Sequence, residues 1–155
     1  MLLLADFRKL SSRSLLELFL FSQAFFWLLV MQLGIAFFHF QDIARWIGLK
    51  TDVSTSPPAP VGGQFPVSKQ IAWAISASAR RTPWISTCLA QALACAILLR
   101  GWHIPGLVYL GLAKDASSKG GYAAHAWLRC GDAILTGASG HERFQVIAVF
   151  RTAKA

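Results

Sequence analysis

Thr82 to Arg100 reads TPWISTCLAQALACAILLR, and the fold is decided by how this stretch begins. Thr82 followed by Pro83 is a helix-opening pair: a capping hydroxyl, then a proline at a position whose N–H has no intrahelical partner. Ser86 and Thr87 offer a later start. Gly101 suits the residue after the helix, and Arg100 places a cation at its negative end. On either start Cys88 lies near the positive end of the helix. That position favours thiolate over thiol, and the thiolate is the nucleophilic form. The competing reading makes Cys88 a small buried hydrophobe, like Cys95 two turns on.

At 155 residues the chain holds one domain with a real core. A net charge of +8 points to an anionic partner, whether peptide, nucleic acid or lipid headgroup. The basic residues are scattered, which argues against a nucleic-acid arm. Cys88, Cys95 and Cys130 form neither a CxxC nor a Cys/His zinc pattern, as expected of free thiols in a reducing compartment. A mean hydropathy of +0.48 raises the question of a membrane.

Outward toward the N-terminus, Leu15 to Phe40 is strongly apolar, and Leu18 to Phe38 is long enough to span a bilayer. Glu17, Ser22, Gln23, Gln32 and His39 interrupt it. Two readings stand: a transmembrane or surface anchor, or a pair of core helices broken at Gly34. In residues 1–14, Asp6 and the lack of a small-residue cleavage site argue against secretion, so a cytoplasmic location is expected, with membrane association as the alternative. Gln41 to Leu49 continues as a short amphipathic helix. Thr51 to Pro66, with its Pro-Pro and Gly-Gly pairs, reads as a linker. It separates an N-terminal helical region (1–50) from a core domain (67–155). Val67 to Arg81 reads as a helix ending in two cations.

Beyond Gly101 the apolar period falls to 2. Leu107–Ala113, Tyr122–Cys130, Ala133–Thr136 and Arg143–Arg151 read as strands, and Gly131-Asp132 as a tight hairpin turn. Helices followed by an antiparallel meander give an α+β class. His125 falls in the second of these strands between two alanines. A cysteine at a helix N-terminus followed by a histidine on an antiparallel sheet is the order in which a thiol meets its general base.

The segments CLAQALACAILLRGWHIPGLVYLG, AHAWLRCGDAILTG and HERFQVIAVF together resemble the transglutaminase-like cysteine peptidase of lasso peptide biosynthesis, the B-type protein that removes the leader from the precursor. The resemblance runs from Pro83 to Phe150 and rests on Cys-Leu at the helix start and His-Ala-Trp on the strand. It implies N-terminal helices before a transglutaminase/papain-like core, with the catalytic helix packed on a small antiparallel sheet. It also implies the standalone protease form, without a fused leader-recognition domain.

That family uses a Cys-His-Asp triad. Cys88 and His125 match the first two positions. The acid is expected about a dozen residues after the histidine, which here is Gly137. Asp132 is the nearest aspartate and becomes the candidate third member. In a tight Gly131-Asp132 turn, however, it sits at the hairpin tip, seven residues of strand or roughly 20 Å from His125. The residues facing His125 are then Gly137, Ala138 and Ser139. A backbone carbonyl, Ser139 or Glu142 could orient the imidazole instead, and a dyad without an acid is a further option. The Cys88 backbone N–H is the natural oxyanion donor. Trp84 is either a wall of the site or ordinary core.

The resemblance implies as partners the precursor peptide, a separate leader-recognition protein and an ATP-dependent macrolactam synthetase. It implies no metal or cofactor. The expected activity is leader cleavage through a Cys88 thioester, with His125 as base and then acid. Acyl transfer on the same dyad stays open. The alternative is a catalytically weak or inactive transglutaminase-like scaffold in a peptide-modifying complex, membrane-associated if the apolar N-terminal run is an anchor.

Overall fold

A computed structural model describes residues 14–53 and 59–152. The readings of residues 1–13, and of the part of the linker at 54–58, lie outside the described residues. The elements are α1 (Leu15–Phe37), α2 (Phe40–Trp46), β1 (Leu49–Thr51), α3 (Gln64–Ala79), α4 (Cys88–Gly101), β2 (Leu107–Lys114), β3 (Tyr122–Cys130), β4 (Ala133–Thr136), a 3-10 turn (His141–Arg143) and β5 (Gln145–Thr152). This is an α+β fold. A helical layer lies on one five-stranded antiparallel sheet, in the order β1-β5-β2-β3-β4.

The apolar N-terminal run forms one helix, in place of the two that a break at Gly34 would give. Ser14 and Glu17 close a reciprocal capping box at its start, with each side chain accepting the other's backbone N–H (3.2 and 3.1 Å). Gly34 stays helical and gives α2 close access: a Cβ there would stand 3.6 Å from Ile43 Cδ1. The inner face of α1 carries Leu20, Ala24, Leu28 and Met31, all essentially inaccessible. They join Ile71, Ala74 and Ile75 of α3 and Leu93, Cys95 and Leu99 of α4 in one buried cluster. Cys95 is thus core, as its position two turns into α4 predicts.

Several boundaries differ from expectation, and one left open is settled. The helix read over Gln41–Leu49 stops at Trp46, and Leu49–Thr51 is a strand paired with Phe150–Thr152. Gly48 turns the chain at a φ of +73°, and the Arg100 guanidinium occupies the space its Cβ would need. There Arg100 Nη1 donates to the Ile47 carbonyl (2.7 Å). The partner strand of β1 lies at the other end of the chain, so no local pattern announces it. The helix read over Val67–Arg81 begins at Gln64, with Pro66 in its first turn, where a missing N–H is harmless. Finally, α4 uses the later of its two candidate starts. Thr87 is the cap, accepting from Ala90 N–H (3.2 Å). The Thr82 hydroxyl instead sits among the Ala79 carbonyl, the Trp84 carbonyl and the Ser86 hydroxyl (3.0, 2.9 and 3.1 Å).

Strand alternation divides the sheet. Val108, Leu110, Ala126, Leu128, Cys130 and Phe150 face the helices. Leu107, Tyr109 and Trp127 face the other side, with Ile134, Phe144 and Val149 packed around them.

Candidate functional site

Cys88 is the first residue of α4 and is half-buried. The loop leading to it is held from both sides. Thr87 N–H donates to Gln32 Oε1 of α1 (3.4 Å), and Gln91 Nε2 donates to the Ser86 carbonyl (3.0 Å). In the first turn of α4, Ala90 N–H goes to the Thr87 hydroxyl and Gln91 N–H to the Thr87 carbonyl. Among the described residues no hydrogen bond takes the N–H of Cys88 or Leu89. A helix start leaves such donors to whatever binds there, and an anion is favoured. Sequence reasoning does not single out Gln32 or Gln91 as site residues. A glutamine inside a largely apolar helix is the signal that points to Gln32, and Gln23 of the same helix carries it equally.

Burial raises the thiols of Cys95 and Cys130 above the ordinary thiol range, far above it at Cys95, while a hydrogen bond with Ser68 acts against the shift at Cys130. Cys88 alone of the three is open to solvent. Trp84 packs edge-on against Phe25 of α1 (ring centroids 5.6 Å apart), and its buried indole N–H has no hydrogen-bond partner among the described residues.

His125 lies on β3 opposite Gly111 of β2. The small partner matters, because a Cβ at Gly111 would stand 2.8 Å from Phe144 Cβ and 2.9 Å from Trp127 Cζ3. Its absence lets the His125 ring pack beside Trp127 (5.9 Å, nearly parallel) and Phe144 (4.9 Å). His125 Nε2 is 2.8 Å from the Gly137 carbonyl oxygen. A carbonyl only accepts, so Nε2 carries the proton, and in the neutral ring Nδ1 keeps the lone pair.

Gly137 reaches this position because β4 ends at Thr136, paired with Leu128. Past that point no strand pairs with β3 on this side among the described residues, and Gly137 turns in beside it at a φ of +69°. Cys130 pairs with Ala133, so Gly131 and Asp132 form the two-residue turn and Asp132 is exposed at its tip. Glu142 contacts His141 Nδ1 (3.3 Å), and that nitrogen also meets the Ala138 carbonyl (2.7 Å). Of the groups weighed as partners for the imidazole, the Gly137 carbonyl is the one in hydrogen-bond contact.

The structure therefore joins His125 to Gly137 and keeps Asp132 at the far end of the hairpin. No hydrogen bond joins Cys88 to His125 among the described residues. Helix α4 packs on the Ala126 and Leu128 face of β3, and the His125 ring stacks with Trp127 of the other face. Among the described residues, no three His, Cys, Asp or Glu side chains converge as a metal-ligand set.

In a comparison with known families, the model of the transglutaminase-like superfamily aligns with residues 27–149. It takes in part of α1, all of α4, and β3 with His125. No curated protein and no solved structure matches the chain.

Proposed function

The chain belongs to the transglutaminase-like superfamily, and from that premise we propose that it is a cysteine peptidase that removes the leader of a lasso-type precursor peptide. Cys88 is the nucleophile and His125 the base. The carrying observation is the hydrogen bond from His125 Nε2–H to the Gly137 carbonyl. It holds the imidazole in one tautomer and leaves Nδ1 to take the thiol proton, the service an acid performs in a full triad. Gly137 is also the position at which the resemblance places that acid.

Dimensions support the pairing. Gly106 lies against Leu99. Cys88 is eleven residues before Leu99, or about 16 Å along the helix. Gly111 is five residues after Gly106, roughly 16 Å along the strand. The two lengths match, which supports pairing Cys88 with the Gly111–His125 level of the sheet. The reading requires ring and thiol, which lie toward opposite faces of β3, to approach each other when substrate is bound. Catalytic hydrogen bonds commonly tighten only in such complexes.

In the reaction, the Cys88 thiolate attacks the scissile carbonyl, and the oxyanion is received by the N–H groups of Cys88 and Leu89. His125 returns the proton to the leaving amine, and water hydrolyses the thioester. The partners proposed with this reading are the precursor, a separate leader-recognition protein and a macrolactam synthetase, in the cytoplasm.

The alternation of β3, which gives α4 and the His125 ring opposite faces, favours a second reading: an inactive scaffold. Cleavage of the purified precursor, followed by mass spectrometry, separates the two. The peptidase reading expects Cys88→Ala to abolish cleavage while the protein keeps its helical signal and melting temperature. Cleavage by Cys88→Ala at the rate of the unaltered protein sinks it.

A further inference from the structure

Helix α1 has a second face that the catalytic reading leaves unused. Its inner face is locked into the core by Leu20, Ala24, Leu28 and Met31. Although α1 is long and apolar enough to cross a membrane, moving it into a bilayer would strip α3 and α4 of their packing. Its outer face is nevertheless apolar from end to end. Phe19, Phe26, Leu29, Leu33 and Phe37 follow one side of the helix and are between 37 and 77% exposed. Ser22, the polar residue on that side, turns its hydroxyl back to the Leu18 carbonyl (3.0 Å). The stripe continues around the α1–α2 corner through Phe38 and Trp46, 65 and 64% exposed. Between the helices it opens into an apolar groove of about 530 Å³ floored by Met31 and Ile43. So large a continuous apolar surface marks an interaction site.

Charge chooses the occupant. Arg8, Lys9 and Arg13 precede α1 in the sequence, and Glu17 is the acidic residue within it. At the other end Arg45 stands beside Trp46 and is paired with Asp42 (3.3 Å). With a net charge of +8, two copies meeting through this face would bring like charges together, whereas an anionic surface neutralises them. A bilayer also asks for no matching hydrogen bonds along the stripe. We propose that the α1–α2 face seats the protein on the surface of an anionic lipid bilayer, with α1 lying along the membrane and not crossing it. Phe37, Phe38 and Trp46 would enter the acyl boundary, with Arg45 at the level of the headgroups.

Flotation of the full chain with lipid vesicles, without detergent, tests this independently of peptidase activity. Vesicles of phosphatidylcholine with a quarter phosphatidylglycerol should carry the protein at least ten-fold better than phosphatidylcholine alone, and an alkaline wash should release it. Phe37→Ser with Trp46→Ser should lower binding at least ten-fold with an unchanged circular dichroism spectrum, and Arg45→Glu should lower it while keeping the apolar face. Retention after the alkaline wash would overturn the proposal in favour of a span. Equal binding to neutral vesicles would remove the role of charge and overturn it too. Failure to float overturns it, whether the protein is then a concentration-dependent dimer, which gives the face to a second copy, or a monomer.

Discussion

His125 Nε2 and the Gly137 carbonyl oxygen stand 2.8 Å apart, and the bond depends on Gly137 having no side chain. A Cβ at Gly137 would lie 2.4 Å from the Ala126 carbonyl oxygen and 2.9 Å from Trp127 Cβ. The positive φ adds strain for any L residue. Gly137→Ala should therefore destabilise the fold by about 2–4 kcal/mol. Chemical denaturation measures this, and a loss below about half a kcal/mol, the scale of a neutral surface change, would show that the turn relaxes freely. The same clash predicts that Gly137→Asp, which installs the acid expected at this position, lowers activity.

Asp132 occupies the tip of the β3–β4 hairpin. Asp132→Asn should change cleavage less than about two-fold, since an exposed turn residue contributes within about half a kcal/mol. A true triad acid replaced by its amide costs about four orders of magnitude in serine proteases, because the base is then held in the wrong tautomer. A thousand-fold loss in a well-folded variant would move Asp132 into the site and overturn the hairpin register.

The three thiols should separate by reactivity. In the native protein near neutral pH, iodoacetamide should label Cys88 first, because Cys95 and Cys130 are buried with their thiols pushed up. Equal labelling rates would contradict this burial. The same shifts give a pH dependence of stability. A raised thiol pKa means that the folded chain keeps a proton which the unfolded chain loses. Stability from these two groups is complete below the ordinary thiol range near about 8.5 and falls as pH rises above it. The urea midpoint should hold to about pH 8 and then decline, and Cys95→Ala should flatten the decline.

Gln32 fixes the loop before the nucleophile by accepting the Thr87 N–H. Gln32→Leu removes that acceptor while keeping an apolar side chain of similar reach. It should lower kcat by roughly ten- to a hundred-fold, the scale of a small misplacement of a reacting group. Gln32→Glu keeps an acceptor at the same reach and should recover most of the rate. Loss in both variants, together with a lowered melting temperature, would make Gln32 a packing residue only.

Local chemistry accounts for what could be read from the residues in order. The Thr87 cap, the core position of Cys95 and the Gly131-Asp132 turn each depend on neighbours within a few residues. So do the change of period after Gly101 and the α+β order that follows from it. The sequence therefore determined most of the elements and their types, and it marked Cys88 and His125 as the candidate pair. Tertiary structure decided what depends on distant partners. Strand β1 exists because β5 lies beside it, and Gly48 turns where Arg100 arrives from α4. Gln32 meets Thr87 across 55 positions. Gly137 meets His125 only because β4 ends one residue earlier, where no strand pairs with β3 on that side among the described residues. A side chain's identity fixes what bonds it can make, but the partner it finds is set by how helices and strands pack, and that information is spread over the whole chain.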